Sequence, residues 1–242
     1  MINILSNWFN IISYIISYFI IMNLLHVKLK KIFSTKKAIK IIIVLDNFHI
    51  NCILRLVKAE EIGKANYVDI AAYPEIVSAV KPLTCIPIYV SLIDLMDLYH
   101  CTLAGVDMLK IDNFNTFYNQ GIVFSDYQIL GSAEETQSLL TNSIICITIS
   151  HILLLNQQIQ LAFNLTNIGI NFTQTKGLST KNKILLITNN SILNSIHKAS
   201  AALFSLYAIA NSMNIPAIAS SGINYISAPI FVAYNVFVFG IC

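Results

Sequence analysis

Residues able to do chemistry recur at regular places along this chain. Asp46 and Asn47, Asp69, Ser91, Asp112 and Asn113, His151, Gln174 and Thr175, and Ser221 with Gly222 each stand in, or just after, a short apolar run. Asp69 lies inside Tyr67-Val-Asp-Ile-Ala71, between apolar neighbours. A carboxylate there is costly to bury unless it is paired or hydrogen-bonded. It is a candidate general base, and equally a structural Asp bonded to a neighbouring strand. His151 is a candidate acid, base or ligand anchor; the plainer reading is a hydrogen-bonded loop residue. The amides of Asn47, Asn113 and Gln174 can orient a small polar ligand or cap loops.

Ser220-Ser221-Gly222 ends an apolar run just before a helical stretch. Backbone N–H groups there, with a hydroxyl, form half of a phosphate cradle. The other half would follow an eighth strand. Lys110 and Lys176 also fall in or at the end of apolar runs. A desolvated lysine can attack a carbonyl and form a Schiff base. In a lysine-rich chain the simpler reading, ordinary lysines, is preferred. Asp, Glu and His show no metal-ligand spacing. The cysteines Cys52, Cys85, Cys101, Cys146 and Cys242 are scattered, without a C-x-x-C pair, and read as free thiols. No P-loop, G-x-S-x-G or H-E-x-x-H is present, and no cofactor is expected.

These residues need elements to position them, and the chain supplies a repeating pattern from residue 39. A short β-branched run is followed by a polar turn and then a helical stretch. The runs are Ile39–Leu45, Tyr67–Ala71, Pro87–Ser91, Asp107–Asp112, Ile144–Ser150, Ile170–Thr175, Pro216–Ser220 and Val236–Gly240. The helical stretches are Asn51–Gly63, Pro74–Val80, Asp94–Ala104, Ser125–Leu140, Asn156–Ile168, Ser191–Met213 and Tyr225–Ala233. Gly63, Gly105 and Gly169 suit left-handed helix ends. Pro74 suits a helix first turn, and Ser125 with Asp126 suits an N-cap. Strict alternation with strands apolar on both faces means a parallel sheet covered by helices. The expected fold is α/β, a TIM-like (β/α)8 barrel of eight parallel strands lacking the final helix, with a hydrophobic helix before it. A doubly wound open sheet is the alternative, but the first βα turn, Asp46-Asn-Phe-His-Ile50, has no glycine fingerprint.

Composition is unusual, with 56% hydrophobic and 11% charged residues. A multispan membrane protein would need runs of about 20 apolar residues. Beyond residue 35 the runs are far shorter, so A/T-rich codon usage is the favoured cause. The net charge of +3 is too slight to imply nucleic acid, and no basic stripe lies outside Lys28–Lys40. Residues 2–25 carry no charge and precede a cluster of lysines. They read as a single membrane anchor, a packed helix, or, for residues 1–21, sequence upstream of a true start at Met22. The domain reading is therefore an extension or anchor over 1–21 and a single barrel over 22–242. Oligomeric state is left open.

The segments Tyr67-Val-Asp-Ile-Ala-Ala-Tyr-Pro-Glu75, Leu103-Ala-Gly-Val-Asp107, Asn113-Phe-Asn-Thr-Phe-Tyr-Asn-Gln-Gly-Ile-Val-Phe-Ser125, Gln157-Gln-Ile-Gln-Leu-Ala162 and Ser220-Ser-Gly-Ile-Asn-Tyr-Ile-Ser-Ala-Pro229 resemble those of a family of hypothetical chloroplast reading frames, number twenty-three in that series. The resemblance runs in order over about residues 37–241. It implies a TIM-barrel-like fold and a plastid location, in the stroma or on the stromal face of a membrane. The family carries no established activity. Three departures stand out. Lys176 and Leu178 flank Gly177 where the family has an acidic residue and a glycine. The chain stops at Cys242, right after the eighth strand, where the family continues into a glycine-rich loop and helix. The family start lies near Met22. The first two bear against ligand binding.

Two classes of function follow, and a third outcome. The chain is a barrel lyase, isomerase or aldolase on a small phosphorylated metabolite, with Asp69 as base, His151 as acid or orienter, and Ser221 and Gly222 as phosphate grip. Alternatively it is a non-catalytic binding or scaffold barrel at a plastid membrane. The third outcome is the product of a decaying gene.

Overall fold

Apolar runs too short for helices, rich in Ile and Val, pair as buried strands, while the amphipathic stretches between them cover the sheet. The computed structural model describes residues 38–43, 49–112, 117, 120–141, 143–176, 190–213, 215–233 and 238–241. In chain order the elements are β1 (Ala38–Ile42), α1 (Ile50–Ile62), β2 (Tyr67–Ala71), α2 (Pro74–Val80), β3 (Ile88–Leu92), α3 (Leu95–Leu103), β4 (Met108–Ile111), α4 (Asp126–Leu139), β5 (Ile145–Ile149), α5 (Leu155–Asn167), β6 (Phe172–Lys176), α6 (Ser191–Ser212), β7 (Ala217–Ser220), α7 (Ala228–Ala233) and β8 (Val238–Ile241). The second strand and second helix coincide with their sequence-based ranges; most others differ by one to three residues at an end. The N-terminal helix expected over 2–25, and the anchor reading with it, lies outside the described residues. No described helix is long and apolar enough to cross a membrane.

The strands close into one barrel in sequence order, every neighbouring pair parallel, with β8 returning to β1 through Ala38↔Val238 and Lys40↔Gly240. Side chains alternate along each strand, and the two faces have different content. Outward residues such as Val68, Ile70, Ile88, Val90, Leu109, Ile145 and Ile147 form one apolar core with the helices. Inward, Ala38, Tyr67, Tyr89, Met108, Cys146, Phe172 and Ile218 form a second apolar cluster at the strands' N-terminal ends. Two residues further along the same strands stand Lys40, Asp69, Ser91, Lys110, Thr148, Gln174 and Ser220, all buried. The barrel interior thus has an apolar floor and a polar upper layer facing the end where barrel sites form.

Helix ends follow their capping residues. Asp94 Oδ1 accepts the Met96 and Asp97 N–H groups at 2.9 and 3.1 Å, opening α3. Ser125 is the N-cap of α4 with Asp126 in its first turn, as the Ser-Asp pair predicts, and Gln128 completes a capping box. Gly105 and Gly169 are left-handed, with φ of 90° at each. Gly63 is a correction: it stays right-handed at φ −70°, and Lys64 takes the left-handed position at φ 61°.

Candidate active site

Five side chains from four strands form a continuous array inside the barrel. Lys40 Nζ on β1 lies 2.8 Å from Asp69 Oδ2 on β2. Lys110 Nζ on β4 lies 3.0 Å from the same oxygen. Lys110 also reaches Asp112 Oδ2, just past β4, at 3.0 Å. Asp112 Oδ1 accepts from Lys176 Nζ, at the C-terminal end of β6, at 3.0 Å. Exposure rises along the array, from 0% at Lys40 and Asp69, through 1% at Lys110, to 5% at Asp112 and 6% at Lys176. Neutral groups complete the inner end. Ser91 Oγ donates to Asp69 Oδ1, and Lys40 Nζ donates to Gln174 Oε1 at 2.8 Å. The Lys40 ammonium also sits 4.3 Å from the centroid of the Tyr89 ring, close enough for a cation–π contact.

The five groups differ in how firmly they hold charge. Burial favours neutral forms throughout. At Asp112 it pushes the carboxyl up, but Lys110 and Lys176 outweigh it and hold the group well below the usual carboxylate range. Asp69 is likewise brought down, burial being outweighed by Lys110, Lys40 and the hydrogen bonds. Lys110 loses to burial but gains more from Asp112 and Asp69, so its ammonium is strongly retained. Lys40 goes the other way: burial, with Lys110 nearby, outweighs Asp69 and lowers it to about 8.

The sequence-derived candidates are partly gathered here. Asp69 and Gln174 lie in the array, but as its fastenings: Asp69 is gripped by two lysines and a serine, and Gln174 holds Lys40 and approaches Thr148 Oγ1 at 3.5 Å. His151 follows β5 half-buried; burial, then the Lys176 charge, lowers its pKa. It therefore stands within electrostatic reach of the array's outer end as a neutral imidazole. Asn47 and Asn113 lie outside the described residues. Ser221 and Gly222 end β7 in left-handed conformations, φ 68° and 74°. Past them, Asn224 Oδ1 accepts the Ile226 and Ser227 N–H groups at 3.0 and 3.1 Å, so those amides are committed within the turn.

Lys110 and Lys176, which the sequence places in and at the end of apolar runs, are interior residues held in ion pairs. Lys40 was missed. Its signal was the one that exposed Asp69, a charge inside Ala38-Ile-Lys-Ile-Ile-Ile43, a run expected to be buried on both faces. Among the described residues no cluster of His, Cys, Asp and Glu is arranged to hold a metal.

The family described as "Protein of unknown function (DUF561)" matches residues 22–242. The chain belongs to that family. Its relatives are named ycf23, as the resemblance implied. "Uncharacterized protein ycf23" of Antithamnion sp. is 44% identical over 219 residues, covering 88% of this chain and 79% of the relative. That of Pyropia yezoensis is 38% identical over 209 residues, covering 86% and 75%. The chloroplast-reading-frame name of these relatives implies a plastid-encoded protein. Among solved structures, "QR15, an Aldolase" superposes with a TM-score of 0.54 at 12% identity, covering 84% of this chain and 87% of that one. A truncated 3-deoxy-D-arabino-heptulosonate 7-phosphate synthase from Thermotoga maritima gives 0.56 at 12% identity, covering 85% and 74%. At such identity the likeness shows the TIM-barrel-like fold alone.

Proposed function

We propose that this family member is a plastid barrel enzyme of the lyase or aldolase type, acting on a small phosphorylated carbonyl metabolite through a lysine Schiff base. The observation that carries the reading is the interior array of three lysines and two aspartates at the end of the barrel where sites form. Packing charges inside a barrel costs stability that an apolar filling would not. Such a cost is commonly met at sites that use the charges. Solved barrels of the same fold described as an aldolase and a synthase lend the reading support by analogy.

Lys176 is the nucleophile in this reading. It ends β6 at the mouth, whereas Lys110 is divided between two carboxylates and Lys40 is deepest. Its neutral amine adds to the substrate carbonyl carbon, and loss of water leaves an iminium. The iminium draws in the electron pair of the adjacent carbon–carbon bond as a base removes the proton of the hydroxyl beyond it. An aldehyde leaves, the enamine takes a proton on carbon, and water hydrolyses the imine to free the lysine. His151, neutral and near Lys176, is the proton carrier. Asp69, a candidate base or structural Asp from sequence, takes the structural role in this reading and holds Lys40 and Lys110. Asp112 aims Lys176, and the Lys110 ammonium stabilises negative charge developing on the substrate oxygen. The Ser221–Gly222 turn is the proposed phosphate grip, and the stroma or a stromal membrane face the proposed location.

Borohydride reduction in the presence of small phosphorylated aldehydes and ketones, read by intact mass and peptide mapping, tests this. A covalent adduct at Lys176, lost in Lys176→Met, is the expected result. Absence of any adduct across the carbonyl panel, or one undiminished in Lys176→Met, overturns it.

A further inference from the structure

The proposed chemistry leaves Lys40 unused, although it is the deepest lysine of the array. Asp69 Oδ2 serves two ammonium groups at once, Lys40 at 2.8 Å and Lys110 at 3.0 Å. Asp112 likewise serves two, Lys110 and Lys176, each at 3.0 Å. Each carboxylate is therefore a point of competition, and Lys110 is the member common to both. We propose that Lys40 is a positioning residue that acts through Asp69, Lys110 and Asp112 to set the reactivity of Lys176. This rests on the Schiff-base reading only in giving that reactivity a purpose.

The direction of the coupling follows from the sharing. While Lys40 carries its proton, it claims part of Asp69. Lys110 then leans on Asp112, and Asp112 has less to offer Lys176. When Lys40 loses its proton, Asp69 serves Lys110 alone and Asp112 is released to hold the Lys176 ammonium. Through-space repulsion has the same sign, since a cation at Lys40 disfavours a second and third cation along the array. A protonated Lys40 thus leaves Lys176 less firmly held by Asp112.

The surroundings of Lys40 make it the member able to change state. It faces Asp69 from β2, with Tyr67 beside it in register, the Tyr89 ring from β3, Lys110 from β4, the Cys146 thiol from β5 and Gln174 from β6. Burial holds the Cys146 thiol up at about 11, and both phenols are pushed well above their ordinary value, so these neighbours stay neutral near pH 8. On β8 the inward position is Gly240, where a Cβ would come 3.6 Å from Lys40 Cε. Lys40 itself is lowered to about 8, close to neutral pH.

Competitive acetylation of the full chain with trace acetic anhydride, read at Lys176 by peptide mass spectrometry from pH 6 to 10, tests the coupling without any substrate. At pH 7 Lys40→Met is expected to lower Lys176 reactivity about tenfold, the effect of one unit of coupling, and Lys40→Arg to retain it. In the wild-type chain the Lys176 profile is expected to spread over more than one ionisation. Reactivity in Lys40→Met within twofold of wild type overturns the proposal. Should that variant not fold, a wild-type profile that fits a single ionisation overturns it. An empty borohydride screen beside a clear Lys40 effect would sink the Schiff-base reading and leave this coupling standing. Adducts at Lys176 whose rate ignores Lys40 would do the reverse.

Discussion

Lys40 carries a consequence for stability that can be read apart from any reaction. Its pKa falls from 10.5 in the unfolded chain to about 8 in the fold. Below pH 8 both states hold the proton and the fold bears the cost of a buried cation. Between about 8 and 10.5 the unfolded chain binds more protons than the folded one, so this residue's contribution to stability rises with pH. Cys146 and Cys101 oppose it, because burial lifts their thiols to about 11 and about 12, and the unfolded chain ionises them first. The difference between wild type and Lys40→Met cancels Cys101, and Cys146 stays protonated in the fold of both up to about pH 10. Urea unfolding should show that difference moving in favour of the wild type by about 2 kcal/mol between pH 8 and 10. A difference constant over that range would mean Lys40 keeps its ordinary affinity for protons. Legibility at this scale depended on residue type. Asp69 stood out because acidic residues are few and this one sits among apolar neighbours. Lys40 had the same surroundings but fell in a segment already full of lysines. Lys110 and Lys176 were noticed and discounted because lysines recur along the chain as a whole. What could not be read is the pairing, since residues 40, 69, 110 and 176 meet only when the barrel closes.

At the scale of elements, the turn from β7 into α7 holds the most closely packed of the described glycines. A Cβ on Gly222 would lie 2.3 Å from the Lys198 carbonyl oxygen and 2.7 Å from its carbon, both backbone atoms of α6. Gly222 also has φ 74°, where side chains are strained. Gly121 makes a control, with φ 76° and nothing within 4 Å of the same added atom. Gly121→Ala should cost the backbone strain alone, about 1–2 kcal/mol. Gly222→Ala must also push α6 from the barrel, and should cost at least about 2 kcal/mol more, as overpacked cores do. Equal costs for the two substitutions, measured by denaturant unfolding, would show that α6 yields freely. The sequence offered the Ser-Ser-Gly turn as half of a phosphate cradle; the structure adds that its glycine is needed for packing whether or not an anion binds. Element boundaries were legible because the apolar runs are short and the caps Asp94, Ser125 and Pro74 are conventional. Gly63 misled because the chain turns one residue later, at Lys64, where a glycine was not required.

For the whole molecule, everything at the site depends on closure of the barrel. β8 is the keystone because it pairs with β7 on one side, through Ile218↔Val238 and Ser220↔Gly240, and with β1 on the other, through Ala38↔Val238 and Lys40↔Gly240. Its removal leaves two parallel strands with unpaired edges, and such sheets are covered in native proteins. It also opens the wall beside Lys40, which is wholly buried in the closed barrel. A cation held in a dry interior by Asp69 then meets water, and the competition that links it to Lys176 relaxes. A chain ending at Ala233 is therefore expected to lose cooperative thermal unfolding and to show Lys40 as readily acetylated as a surface lysine. The alternation of strands and helices made the curled parallel sheet legible in advance, but not this dependence, because the partners are about 200 residues apart in the chain. If the truncated chain still melted in one sharp transition with Lys40 protected, β1 to β7 would form a stable unit alone, and the array would owe its burial to the floor and the helices rather than to closure.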